Sequence, residues 1–260
     1  MDLSLAGSRA FVAASSAGIG YACAEALVGE GARVVLCARS AARLEAARAA
    51  LAARGEVHAL AFDLNGPDAA RAVTEAAALL GGLDVLVVNG GGPPPGTFGD
   101  LDDTAWSAAA EGTLVGPVRM IRAALPHLRA SARGRIVIIE STSVKQPIET
   151  LLLSNSLRLG VVGLAKSLAT ELAPAGVTVN VVCPGMTDTE RLQELNRAVA
   201  ARTGRIPEEV AAERARSIPM GRLARPAEIA AMVAFLAGAR AGYVTGTVIA
   251  VDGGLVRYPL

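Results

Sequence analysis

Apolar positions fall along this chain in two alternating registers. Short runs such as VVLCA at 34–38 and DVLVV at 84–88 are apolar at nearly every position, as suits strands covered on both faces. Between them lie longer segments rich in Ala, Leu and Arg whose apolar positions recur every three or four residues, the spacing of one helix face. The alternation predicts strands over 9–13, 32–37, 57–62, 84–88, 134–139, 176–182 and 246–250, with helices over 18–30, 41–54, 67–81, 103–130, 152–173 and 226–238. Strand and helix in turn is the pattern of repeated βα units. The expected fold is therefore α/β, a doubly wound seven-stranded parallel sheet with helices on both faces. Over 187–216 the sequence becomes polar, helical and rich in Arg and Glu, directly after the sixth strand. Ligand crevices open beyond the carboxyl ends of such strands, so this insert is expected either to form a substrate lid or to be an ordinary surface helix pair.

Composition narrows the picture. With 260 residues, 52% hydrophobic and 19% charged, the chain is expected to form one domain over 1–260. Lys and Arg total 25 against 24 acidic residues, a net charge of +1, so no bulk field argues for a nucleic acid or an anionic membrane surface. The expected ligand is a small neutral or amphipathic molecule. No apolar run approaches the roughly 20 residues that span a bilayer. Asp2 precedes any basic residue and no apolar core leads to a cleavage site, so no signal peptide is expected. Cys23, Cys37 and Cys183 are far apart and lack C-x-x-C spacing, which fits a reducing cytoplasm. His58 and His127 have no partner spacing, and no metal site is expected.

Candidate chemistry lies where strands end. The first strand runs into Ala13-Ala14-Ser15-Ser16-Ala17-Gly18-Ile19-Gly20; glycines at 18 and 20 let the backbone turn into a helix whose free N–H groups can face a phosphate. Ala14 is costly there if its φ is positive. The second strand ends at Ala38-Arg39 with no acid, and Arg39 offers a cationic fork suited to a 2′-phosphate, or else it is a solvated surface residue. The third and fourth strands end in Asp63-Leu64 and Val88-Asn89-Gly90-Gly91, the latter followed by Gly92 and the prolines 93–95. Ser141 follows the fifth strand, with Ser154-x-x-x-Arg158 beginning 13 residues later, and Val181-Val182-Cys183-Pro184-Gly185-Met186-Thr187 closes the sixth.

This set resembles the short-chain dehydrogenase/reductase family, and within it a divergent branch of β-ketoacyl-carrier-protein-reductase-like proteins without the Tyr-x-x-x-Lys pair. The resemblance covers essentially the whole chain. It implies a dinucleotide site at Ala14, Ser16, Gly18, Ile19 and Gly20 for the phosphates, Asp63 and Leu64 for the adenine, Asn89 and Gly91 beside the fourth strand, and Pro184, Gly185 and Thr187 for the nicotinamide. Arg39 favours NADP(H) as cofactor. It also implies a small-molecule substrate and assembly into a homotetramer or dimer. In the family's catalytic frame Ser141 fits the carbonyl-orienting Ser, Thr113 stands for the Asn that holds a relay water, and Ser154 and Arg158 stand for the Tyr and Lys. Ser154 is a poor acid and Arg158 stays protonated. Arg158 is expected either to hold a developing negative charge or to pair structurally with a helix neighbour. Lys145 is the candidate acid if its loop lines the cleft, and a solvent-facing lysine otherwise; Lys166 is expected in solvent. The function expected is an NADP(H)-dependent oxidoreductase working on a carbonyl, imine or alcohol group by a non-tyrosine mechanism. The alternatives are a non-redox cyclase or isomerase and a catalytically silent binding protein.

Overall fold

Short strands with both faces buried set the architecture. In the computed structural model, which describes residues 2–257, seven strands pair in parallel: β1 (Arg9–Ala13), β2 (Arg33–Ala38), β3 (Val57–Ala61), β4 (Val85–Val88), β5 (Arg135–Ile139), β6 (Thr178–Pro184) and β7 (Val248–Val251). Their order across the sheet is β3-β2-β1-β4-β5-β6-β7. The chain winds outward from β1 through β3 and returns to place β4 on the other side of β1. This reversal opens a crevice at the carboxyl ends of β1 and β4, where α/β sheets bind ligands.

Successive side chains point to opposite faces, so each strand feeds two cores. Phe11 and Ala13 enter the core beneath α3 (Asp68–Leu80), α5 (Gly116–Ala130) and α6 (Leu152–Leu172). Ala10 and Val12 enter the core beneath α1 (Gly18–Gly29), α2 (Ala41–Ala52) and α9 (Pro226–Ala237). Each fully buried Leu, Val or Phe contributes roughly 1.5–3 kcal/mol of transfer free energy, enough over these faces to hold the strand ends in fixed register. The cysteines lie in these cores, where burial pushes each thiol up to about 12. Among the described residues no helix is long and apolar enough to cross a membrane.

The helix expected over 103–130 is continuous but not uniform. It begins as α4 (Asp103–Ala110), capped by Asp102, which accepts from the Ala105 N–H at 2.8 Å, and it widens into a π turn at Glu111–Val115 before continuing as α5. Pro117 explains the widening: it has no N–H to donate, and its ring excludes the carbonyl of Thr113 four residues back. The turn rests against the loop after β3. A Cβ on Gly116 would stand 2.7 Å from the Leu64 carbonyl oxygen, so the close approach needs glycine.

After β6 the polar insert forms α7 (Glu190–Thr203) and α8 (Pro207–Ser217), which pack on each other before the chain enters α9. Isolated parallel bridges join Thr187 to Ala224 at the base of this excursion, and Gly96, beyond the prolines, to Leu151 at the head of α6.

Candidate active site

Two cavities meet at the switch point. The first, about 350 Å³, runs along the ends of β1, β2 and β3 and is lined by Ala14, Ser16, Arg39, Asp63, Leu64, Asn89 and Gly91, among others. Its floor is the turn into α1. Ala14 has φ +48 and Gly18 φ +60, so Ala14 occupies the conformation in which a Cβ is unfavourable. Two contacts hold the turn there. Ser15 Oγ donates to the Val12 carbonyl at 2.8 Å and accepts from the Cys37 N–H at 3.0 Å. Asn89 Nδ2 donates to the carbonyls of Ala13 at 3.3 Å and Ala14 at 3.4 Å. A Cβ on Gly20 would lie 2.3 Å from the Ala14 carbonyl oxygen and 2.8 Å from Asn89 Nδ2. We expect Gly20→Ala to push this turn away from α1, destabilising the protein by about 1–3 kcal/mol and weakening dinucleotide binding; thermal melts with and without NADPH would show both, and an unchanged NADPH-induced shift would contradict the second.

Arg43, on the first turn of α2, lines the same cavity as Arg39 and was not singled out by the sequence reading. Ser40 caps that helix, accepting from the Arg43 N–H at 3.4 Å. Arg43 also pairs with Glu190 on α7, so this end of the cavity touches the polar insert. Asp63 Oδ1 accepts from the Asn65 N–H at 3.0 Å, shaping a turn, and Asp63 also lines the cavity.

The second cavity, about 310 Å³, shares Asn89 and Gly90 with the first and is lined by Ile19, Ser141, Ser154, Arg158, Pro184, Gly185 and Thr187. Leu192, Leu195, Arg191 and Arg214 close it from α7 and α8. Glu140 is the residue that the sequence reading missed. Arg158 Nη1 donates to Glu140 Oε2 at 2.6 Å, and the two side chains are only 10% and 3% exposed. Of the two roles open for Arg158, the structure shows a partnered cation, and the partner comes from the end of β5 rather than from its own helix. Arg158 Nε donates to Ser154 Oγ at 3.0 Å, and Ser154 Oγ lies 3.4 Å from Ser143 Oγ. Ser141 Oγ accepts from the Ser143 N–H at 3.1 Å. Ser141 thus has an acceptor site engaged and an O–H able to donate into the cavity, whereas the Ser154 O–H is available there only when Ser143 is the donor between the two hydroxyls. Burial pushes the Glu140 carboxyl above its ordinary range, against the pull of Arg158.

Lys145 does not join this group. The short 3₁₀ turn Thr142–Val144 carries it past the cleft, it lines neither cavity, and its charge acts on the Cys183 thiol instead. Thr113 lies in the π turn, buried, and faces a small separate cavity of about 30 Å³ with Asn89, Glu140 and Arg158. That space suits one water molecule. Thr187 Oγ1 donates to the Gly185 carbonyl at 3.2 Å, holding its loop closed. Lys166 is not simply solvated, since its Nζ donates to the Gly246 carbonyl at 3.0 Å. Tyr21 and Tyr243 line neither cavity, and Tyr258 lies outside the described residues.

Comparison with known proteins places this geometry. Residues 13–256 match the family model described as enoyl-(acyl carrier protein) reductase. The chain is 35% identical over 253 residues to a putative ketoacyl reductase of the monensin polyketide synthase from Streptomyces virginiae, covering 96% of this chain and 97% of that one. It superposes with a TM-score of 0.95 on L-sorbose reductase from Gluconobacter frateurii in complex with NADPH and L-sorbose, at 31% identity over 99% of this chain and 100% of that one. A short-chain oxidoreductase from Pseudomonas aeruginosa PAO1, described as having an atypical catalytic center and solved with NADPH, is similar at TM-score 0.87 and 33% identity, over 97% of this chain and 99% of that one.

Proposed function

This chain belongs to the short-chain dehydrogenase/reductase family, and from that membership we propose that it is an NADP(H)-dependent oxidoreductase that acts on a carbonyl, imine or alcohol group of a small molecule without a tyrosine acid. The hydrogen-bonded series Glu140, Arg158 and Ser154, set beside Ser141 in the wall of the second cavity, carries this reading.

NADP(H) is the cofactor, and when bound it supplies the hydride. The glycine cradle supports the fit, because the space beside Gly20 admits no Cβ and the 350 Å³ cavity continues from it along the sheet edge. Ser16, Gly18, Ile19 and Gly20 at the head of α1 would hold the pyrophosphate. Arg39 and Arg43 would hold the 2′-phosphate, Asp63 and Leu64 the adenine, Asn89 and Gly91 the middle of the molecule, and Pro184, Gly185 and Thr187 the nicotinamide.

Ser141 orients the substrate oxygen through its O–H group, joined by Ser154 when Ser143 donates to it. Arg158, a guanidinium bonded to Glu140 and Ser154, steadies charge and is not the proton donor. Glu140 gives a proton in reduction and takes one in oxidation, directly or through a single water beside Thr113. Burial raises its affinity for a proton against the pull of Arg158, the direction that work needs. General acid catalysis is worth roughly 10² to 10⁴ in rate, whereas holding reactants together contributes about 7–11 kcal/mol. Positioning in the cavity therefore outweighs the missing tyrosine. In this reading α7 and α8 act as the lid, since they supply the outer wall. Leu159, on α6, and Phe98 stay exposed, which supports assembly into a dimer or tetramer.

The test is isotopic. With NADPH deuterated at the transferable position, we expect deuterium at one carbon of the alcohol or amine formed from a panel of ketones and imines. Conversion without NADPH consumption would select the cyclase or isomerase reading instead.

A further inference from the structure

The charges around the second cavity do not balance. Three arginines line it, Arg158, Arg191 and Arg214, against one glutamate. Glu140 neutralises Arg158, and Arg191 sits 3.8 Å from Glu194 in an exposed pair. Arg214, on the last turn of α8, forms no ion pair with a carboxylate among the described residues. Its neighbour Glu213 is engaged elsewhere, accepting from Arg205 Nη1 at 2.7 Å. Arg214 is half-buried, and the loss of water pulls its guanidinium below the ordinary pKa. Cations are favoured near a helix C-terminus, yet that field does not require burial: Arg216 sits on the same turn and stays exposed. Glu213 supplies a nearby opposing charge but is bonded to Arg205, and a partly dehydrated guanidinium without a paired carboxylate costs stability, a cost that an incoming anion would offset.

We propose that the substrate is an organic anion whose carboxylate or phosphate is received by Arg214 while its reacting oxygen lies at Ser141 and Ser154. The assignment rests on the reading of this cavity as the substrate site. Both oxyanions match the planar fork of an arginine. The lining also carries Ile148, Leu151, Leu192 and Leu195, so the substrate has a hydrocarbon section in addition to its anion and its reacting oxygen. A cavity of about 310 Å³ limits it to a small molecule. The net charge of +1 over the whole chain gave no hint of this, because the excess is local.

Binding of hexanoate, hexyl phosphate and 1-hexanol to the NADP-saturated protein, followed by calorimetry, separates the possibilities. At least one anion is expected to bind about tenfold or more tightly than the alcohol, as for a charge-assisted contact. Preference for hexanoate identifies a carboxylate substrate and preference for hexyl phosphate a phosphorylated one. Arg214→Gln should abolish the preference while leaving hexanol binding and NADPH affinity unchanged, and Arg214→Lys should restore part of it. Equal binding of all three, no saturable binding of either anion, or a preference that survives Arg214→Gln would overturn the proposal. These are binding measurements, so they stand apart from the deuterium experiment: anion preference without deuterium transfer would keep the subsite and remove the redox chemistry.

Discussion

Replacing Arg158 with methionine is expected to destabilise the protein by about 3–5 kcal/mol near neutral pH, the cost of leaving a buried carboxylate without its cation. Glu140 is 3% exposed, and its side-chain partner is Arg158. Methionine fills most of the space but provides no donor for Glu140 or Ser154. The loss depends on pH in a definite direction. Burial already holds the Glu140 carboxyl above its unfolded range, and removing Arg158 raises it further. A group with a raised folded pKa contributes its full stability below the unfolded pKa, and that stability is lost as pH rises through the folded pKa. The deficit of the variant against the parent should therefore be small near pH 4–5 and grow toward pH 8, at about 1.4 kcal/mol per unit while the carboxyl is forced to ionise. Urea melts at several pH values measure it. Adding Glu140→Leu to Arg158→Met should recover most of the loss, since an apolar pair of similar volume replaces a buried ion pair at little cost. A deficit independent of pH would mean that packing, and not charge, holds Arg158.

The second large effect is on rate. Glu140→Gln keeps an oxygen that can accept from Arg158 but leaves the buried guanidinium without its counter-charge, at a cost of up to about 3–5 kcal/mol; it has no acidic proton to exchange, so turnover per folded molecule should fall by about 10² or more. The pH profile decides between roles. In the parent, reduction needs the protonated acid, so turnover should fall as pH rises through the raised pKa of Glu140; in the glutamine variant that limb should vanish. A variant with reduced turnover and an intact limb would assign Glu140 a positioning role through Arg158, and full activity would remove it from the chemistry.

The sheet and most helices were legible because they rest on local pattern. VVLCA and DVLVV are buried on both faces as their uninterrupted apolar runs require. The cavity at the ends of β1, β2 and β3 was legible because strand ends and turns are set by sequence neighbours. What escaped the reading depends on contacts between distant elements. Glu140 looks like an ordinary strand end until β5 and α6 bring it to Arg158, 18 residues on. An acid directly after the buried run RIVII was the available signal. Arg43 and Arg214 were two among many helical arginines, and no periodicity says which of them faces a cavity. Lys145, for which a cleft-lining and a solvent-facing place were both open, lies outside both cavities because the 3₁₀ turn after Ser141 separates neighbours in sequence. The π turn was foreshadowed by Gly116-Pro117, but the helical period on either side hid it.

The buried pair of Glu140 and Arg158 also limits how this site can change. Only another cation at 158, such as lysine, keeps the pair charged on both sides; a neutral residue at 158 strands Glu140, and loss of the acid at 140 strands Arg158. Each such step alone crosses a trough as deep as a large share of the stability of an ordinary domain. The two positions are epistatically locked, so substitution by single steps favours descendants that retain the pair and vary the walls around it.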